Sequence, residues 1–335
     1  MVSETPIREP SAQPVDDEVL PFEVAPLDLR GRMVRLGPLL DDILNRHAYP
    51  LPVNRLLGEA IVLTSLLGSS LKFNGRFILQ TKTDGPVPMI VVDFRAPDSV
   101  RAYASFHAEQ LQDGMSSGAL MGSGHLALTI DQGAGMNRYQ GLVAMHGGGL
   151  EEAAHEYFLR SEQIPTRVRL AVGEEFVSGA GPRHRWRAGG MMLQFLPQSE
   201  DRARQADLHP GDAPQGAEIH DIAQDDAWLE GQALIETIED IELIDPALSS
   251  ERLVFRLFHE RGVRVFPTQP LRARCACSRD AVQNMLKNFA PQDRADMVED
   301  GKIKVTCEFC SSAYEFSPQD EAFTSEAPVP EGKAD

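Results

Sequence analysis

Residues 274–278 read Arg-Cys-Ala-Cys-Ser, and residues 306–310 read Thr-Cys-Glu-Phe-Cys. These two stretches hold all four cysteines of a 335-residue chain, and both lie in its last fifth. Twenty-nine residues separate Cys277 from Cys307. Two close thiol pairs at that spacing form a zinc-site pattern: each pair gives two ligands from a tight turn, and the intervening chain closes the tetrahedron. Four thiolates saturate the ion and leave no position for a reactive water, so the pattern points away from hydrolysis. Cys275, Cys277, Cys307 and Cys310 are therefore the candidate ligands of one Zn2+.

The flanking residues fit a small fold around such a metal. Met285, Leu286 and Phe289 give a short helix an apolar side, and residues 293–299 suit a second helix. Ile303 and Val305 lead into the second cysteine turn, and Tyr314 and Phe316 alternate after it as a returning strand would. So slight an apolar content leaves metal binding to supply most of the stability. A static structural zinc site is the commonest use of such a cluster. A CxC half-site is an unusual one, and zinc keeps cysteines as thiolates, the form oxidants attack. The spacing permits Cys275 to join Cys277 and Cys307 to join Cys310, with loss of the metal. A thiol oxidoreductase using Cys307 and Cys310 is a third reading of the same residues.

Composition bounds the rest. The chain is 42% hydrophobic and carries a formal net charge of −18. Phosphate backbones and anionic membranes repel such a surface, so neither nucleic acid nor membrane is expected as a partner. The first 28 residues hold seven acids against Arg8 and read as a disordered acidic tail over 1–25, without the basic start and apolar core of an export signal. The expected compartment is the cytoplasm, where clustered cysteines serve metals or redox chemistry more often than permanent disulfides.

Residues 36–47 show helical spacing. Past Pro50 and Pro52, Val53, Leu56, Leu57, Ala60, Ile61, Thr64 and Leu67 recur at helical steps, which predicts a buried core helix. Strands are expected at 75–81, 89–94, 125–130, 139–145, 167–172 and 191–196, with a helix over 150–160. Gly147-Gly148-Gly149 precedes that helix without the lysine and hydroxyl of a phosphate loop, so it reads as a turn. His155 and His259 lack metal partners in sequence and read as surface or helix residues. These elements predict an α+β core domain over 26–196.

Residues 197–270 read as an acidic linker. From Glu200 to Ser250 fourteen acids face only Arg202 and Arg204. Yet Trp228, Leu229, Leu234, Ile235, Ile238 and Ile241 keep helical spacing, and Leu248, Leu253, Val254, Leu257 and Phe258 make a second stripe. Apolar faces that must be buried and like charges that repel predict a helical segment of small net stability. A zinc and redox-switch domain over 271–318 and a tail over 319–335 complete the chain.

The sequence resembles the heat-shock protein 33 family of redox-regulated chaperones from about residue 30 to 318. The resemblance rests on CAC, the spacing, CEFC followed by SSAYEF, and on NRLLGEAIVLTSLLGSSLKFNGRFILQTKTDGPV, YFLRSEQIPT and RAGGMMLQFLP. It implies a holdase, not an enzyme, with the four cysteines as zinc ligands and redox thiols. Oxidation, in this resemblance, forms disulfides Cys275–Cys277 and Cys307–Cys310, releases zinc and unfolds the linker. Unfolding client proteins are then bound, by what the resemblance implies is a homodimer. The chain departs from the family at Ser311, where glycine commonly follows the second cysteine pair, and in a proline-rich insert near 205–216.

Overall fold

The computed structural model describes residues 16–71, 75–133, 138–177, 183–196, 225–319 and Phe323. The chain divides into two units after Ala273. The proline-rich insert near 205–216 lies outside the described residues.

The first unit opens with β1 (Glu18–Val24) and β2 (Leu29–Leu36), then α1 (Pro38–Leu44) and α2 (Leu51–Ser70). Next come β3 (Arg76–Thr83), β4 (Met89–Arg95), β5 (Ser99–Ser105), α3 (Ser117–Met121), β6 (Ser123–Asp131), which returns to pair with β3, and β7 (Tyr139–His146). After α4 (Leu150–Tyr157), the long hairpin of β8 (Thr166–Val177) and β9 (Arg183–Phe195) returns to β2. Helices α5 (Asp226–Glu236), α6 (Asp240–Ile244) and α7 (Ser250–Phe258) come next, then short strands β10 (Arg264–Val265), β11 (Gln269–Pro270) and β12 (Arg272–Ala273). One sheet runs β10-β1-β2-β9-β8 with β11 also on β1; the other runs β12-β5-β4-β3-β6-β7. The class is α+β, as the segregated helices and antiparallel strands predict.

The helix α2 packs on strands of both sheets and forms the centre of the larger core. By length and composition it could cross a membrane, but 72% of its apolar window is buried inside the protein. Its one acid, Glu59, lies with both carboxylate oxygens 2.8 Å from Ser117 Oγ. Burial pushes this carboxyl up to about 7, against the Ser117 hydrogen bond and with repulsion from Glu151 and Asp240. A folded pKa above the unfolded value favours folding fully below about pH 4.5, and that contribution disappears as pH rises through about 7. Glu59→Gln is therefore expected to raise stability at pH 8 by on the order of 2 kcal/mol relative to wild type, with little gain at pH 5. Urea denaturation at the two pH values measures this; an equal effect at both would refute it.

Strand β1 corrects the reading of residues 1–25 as a disordered tail. Residues 18–24 pair along their length with β2 and bury Val19, Leu20, Phe22 and Val24. Acid and proline content hid a strand whose apolar side chains feed both cores. The segment read as a linker is likewise built into the first unit from Asp226 onward. Helices α5 to α7 cover the outer face of the first sheet, where Phe22 meets Phe258 at 5.6 Å and Phe195 stacks near Trp228 at 6.2 Å. In the predicted stripe Ile235 and Ile238 are buried, Leu234 is half-buried and Ile241 is 60% exposed.

Backbone and arginines hold this layer down. Arg35 on β2, 1% exposed, donates to the carbonyl oxygens of Glu242 and Asp245 at 2.7 Å and also to that of Leu248. Arg187 on β9 donates to Ile244 O at 2.9 Å and to Asp16 at 2.6 Å. Burial, with repulsion from Arg187, lowers Arg35 to about 10. Two glycines make room: a Cβ on Gly189 would lie 2.2 Å from Leu243 O, and one on Gly173 2.5 Å from the Ile244 side chain. The acids of the layer are met from β8, where Arg167 pairs with Glu236 at 2.5 Å and Arg169 with Asp240 at 2.9 Å. Exposed pairs of this kind add little each.

Candidate metal centre

The second unit is small. It holds α8 (Arg279–Lys287), α9 (Pro291–Asp296), and a sheet of β13 (Val298–Glu299), β14 (Lys302–Thr306) and β15 (Ala313–Phe316). Ser278 caps α8 by accepting from the Ala281 N–H at 3.1 Å, which fixes the chain just after Cys277. Only Leu286, Ile303 and Phe316 are fully buried among the described residues of this unit. Arg279 lies over the Phe316 ring at 4.5 Å.

The β14–β15 turn presents Cys307 and Cys310. Cys310 N–H and Ser311 N–H both donate to Cys307 O, at 3.3 and 2.8 Å, and Cys307 N–H donates to Ser312 O at 2.9 Å. Closing this knuckle puts Ser311 at φ 55, the left-handed region that costs a side-chain-bearing residue roughly 1–2 kcal/mol. That conformation explains physically why glycine suits the position.

All four cysteines are half-buried, and their sulfurs lie within 4.8 Å of one another. Cys275 Sγ is 3.7 Å from Cys307 Sγ, and Cys277 Sγ is 3.2 Å from Cys310 Sγ. A tetrahedron with metal–sulfur bonds of about 2.3 Å has sulfur–sulfur edges of about 3.8 Å, so the arrangement has the scale of a four-thiolate metal site. Four sulfurs this close could hold a metal ion.

Proton loss from such a set is staggered. Burial pushes Cys277 up to about 12, against the Tyr314 hydroxyl, which donates to its sulfur at 3.2 Å. Burial also raises Cys307. At Cys310 burial opposes ionisation, but hydrogen bonding to the Ser312 hydroxyl and backbone outweighs it, and the thiol falls to about 6. Tyr314 is itself raised to about 12, first by its bond to Cys277. Sequence reading took Tyr314 as a strand residue and passed over Ser312. The available signal was two hydroxyl side chains two and four positions beyond Cys310.

The histidines stand apart from this centre in role. His155 accepts the Val168 N–H through Nε2 at 2.9 Å, and burial lowers it to about 4, so it is a neutral structural acceptor. His259 is exposed and bonds within its own helix end.

Comparison with known proteins agrees with this architecture. The family model described as Hsp33 protein matches residues 17–317. The 33 kDa chaperonin of Caulobacter vibrioides is 43% identical over 317 residues, covering 92% of this chain and 97% of that protein. The 33 kDa chaperonin of Pseudomonas putida is 36% identical over 297 residues, covering 88% and 89%. The crystal structure of the 33 kDa chaperonin, a heat shock protein 33 homolog, from Thermotoga maritima superposes with a TM-score of 0.71 at 21% identity, covering 92% of this chain and 98% of that one. That likeness concerns the fold; the sequence relatives carry the name of a chaperone, not of an enzyme. With its family model spanning both units, the chain belongs to the Hsp33 family of chaperones.

Proposed function

We propose that this chain is a cytoplasmic holdase whose client binding is switched by oxidation of Cys275, Cys277, Cys307 and Cys310. In the reduced state the four thiolates would hold one zinc ion, which suits soft sulfur donors. Bound zinc would supply folding free energy to the second unit, on the order of 10–16 kcal/mol by comparison with small zinc domains. The observation that carries the reading is the convergence of four sulfurs within 4.8 Å in a unit with so few buried side chains.

On oxidation, each cysteine pair gives two electrons to hypochlorite or peroxide and forms one disulfide, Cys275–Cys277 and Cys307–Cys310. The oxidant is reduced to chloride or water. Disulfides are poor zinc ligands, so the second unit loses its organising centre. The chain passes from β12 to Cys275 within two residues, and loss of order there removes a restraint from the segment before it. Release of α5 to α7 then exposes their apolar faces and the sheet beneath to unfolding clients. The net charge of −18 keeps the opened chain, active as a homodimer, in solution and away from nucleic acid and membrane surfaces.

The test follows three signals during hypochlorite treatment of the reduced, zinc-loaded protein. Zinc release is read with a chromogenic chelator, opening by protease cleavage within residues 225–260, and activity by light scattering of a heat-aggregating client. One zinc per chain should leave together with cleavage and suppression of aggregation. Zinc loss without suppression would leave a static zinc-stabilised adaptor. Catalytic turnover of thiol substrates would favour an oxidoreductase. Peptide mapping after alkylation checks the pairing.

A further inference from the structure

The first sheet carries a cavity that the redox switch does not use. Its volume is about 500 Å3, and Ser70, the last residue of α2, lies on its wall. That size is within the range of small-molecule sites, about 300–1,000 Å3. Arg30 and Arg32 of β2 line it together. Two residues apart on a strand, they share a face.

Arg30 has a counter-charge. Its cross-strand partner Glu23 lies 3.6 Å away and lines the same cavity. Arg32 has none. The residues opposite it are Pro21 on β1 and Met192 on β9. Proline's ring accepts nothing, and a thioether accepts only weakly. Arg32 Nη1 is shut off from water without a hydrogen-bond partner. Burial alone lowers the guanidinium's affinity for its proton. Arg32 is half-buried, so its charge is partly desolvated without a partner among the described residues, and an apolar side chain there would spare the sheet that cost.

The charge of the lining selects its ligand. Two arginines less one glutamate leave one positive charge, which one negative charge balances. Met192, Leu196 and Phe266 make the adjoining wall apolar. We infer that the cavity binds a carboxylate carried on an apolar group, with the Arg32 guanidinium as its counter-ion. Planar, bidentate recognition of carboxylates is what a guanidinium does best. The same chemistry is offered by a medium-chain fatty acid and by the free C-terminus of a peptide ending in apolar residues.

Calorimetric titration of the reduced full-length protein tests this with three probes: octanoate, acetyl-Leu-Phe with a free carboxylate, and its C-terminal amide. At least one carboxylate should bind, and the amide should bind at least tenfold more weakly than the acid or not at all. Tighter binding of octanoate assigns a fatty acid; tighter binding of the peptide acid assigns a polypeptide end. Arg32→Met should weaken the carboxylate at least tenfold while its thermal midpoint stays at or above wild type. Should that variant fail to fold, the Arg32 guanidinium 15N resonance of the unaltered protein decides: it should shift on addition of the bound carboxylate. No binding of either carboxylate at 10 mM (a concentration of about that order covers weak sites), equal binding of acid and amide, undiminished binding by Arg32→Met, or an unmoved resonance would each overturn the inference.

Discussion

Arg35→Ala is expected to open the α5–α7 layer without any oxidant. The substitution leaves three backbone carbonyls, those of Glu242, Asp245 and Leu248, without their shared donor. Hydrogen bonds to a charged donor are worth about 1.5–3 kcal/mol each, and a buried carbonyl left without its donor costs about 1–3 kcal/mol. A loss of about 3 kcal/mol multiplies the open population roughly 100-fold. Hydrogen exchange over residues 226–258 should accelerate by that factor in the reduced, zinc-loaded protein, while β3 to β6 stay protected. If opening is what exposes the client surface, the variant should also suppress aggregation while reduced. Unchanged exchange in the layer would mean that apolar packing, not the arginine, holds it.

Loss of a sulfur should have an effect of similar size in the second unit. With about 10–16 kcal/mol spread over four ligands, each is worth roughly 3 kcal/mol. Cys277→Ser should therefore weaken zinc binding by about 100-fold or more. Its unit should lose ordered structure at zinc concentrations that saturate the wild type. Competition against a chelator of known affinity, with circular dichroism at each point, measures both. Zinc affinity within tenfold of wild type would remove Cys277 from the ligand set. Tyr314 would lose its sulfur acceptor in the same variant, so Tyr314→Phe serves as the control for that contact.

Much of this architecture is legible in the sequence because it is local. Residues Val53 to Leu67 repeat at helical steps, and the structure makes them the buried face of α2. The two cysteine pairs announce themselves by spacing, since a tight turn needs no distant partner. What the sequence hides is long-range or uncharacteristic. Strand β5 reads Ser-Val-Arg-Ala-Tyr-Ala-Ser, where small residues stand in for the usual branched ones, and it was not expected. Strand β1 hides in an acidic, proline-bearing stretch, and β2 hides because Arg30, Arg32 and Arg35 interrupt its apolar residues. The helix expected over 150–160 ends at Tyr157 and continues as a wider turn over Phe158–Glu162. The grip of Arg35 spans more than 200 residues of sequence, and no periodicity reports an arginine whose partners are backbone carbonyls.

The glycine seat under α6 has its own consequence. Leu243 O sits where even a methyl group on Gly189 would collide, and the Ile244 side chain fills the space over Gly173. Contacts that close weaken steeply, a gap of about 0.5–1 Å forfeiting a quarter to a half of the attraction. In the proposed switch this seat would favour two states, docked and released, because a partial lift loses contacts on both glycines and gains none. A population of molecules switched in this way would answer a graded stimulus by the fraction that has let go, not by how far each one has loosened.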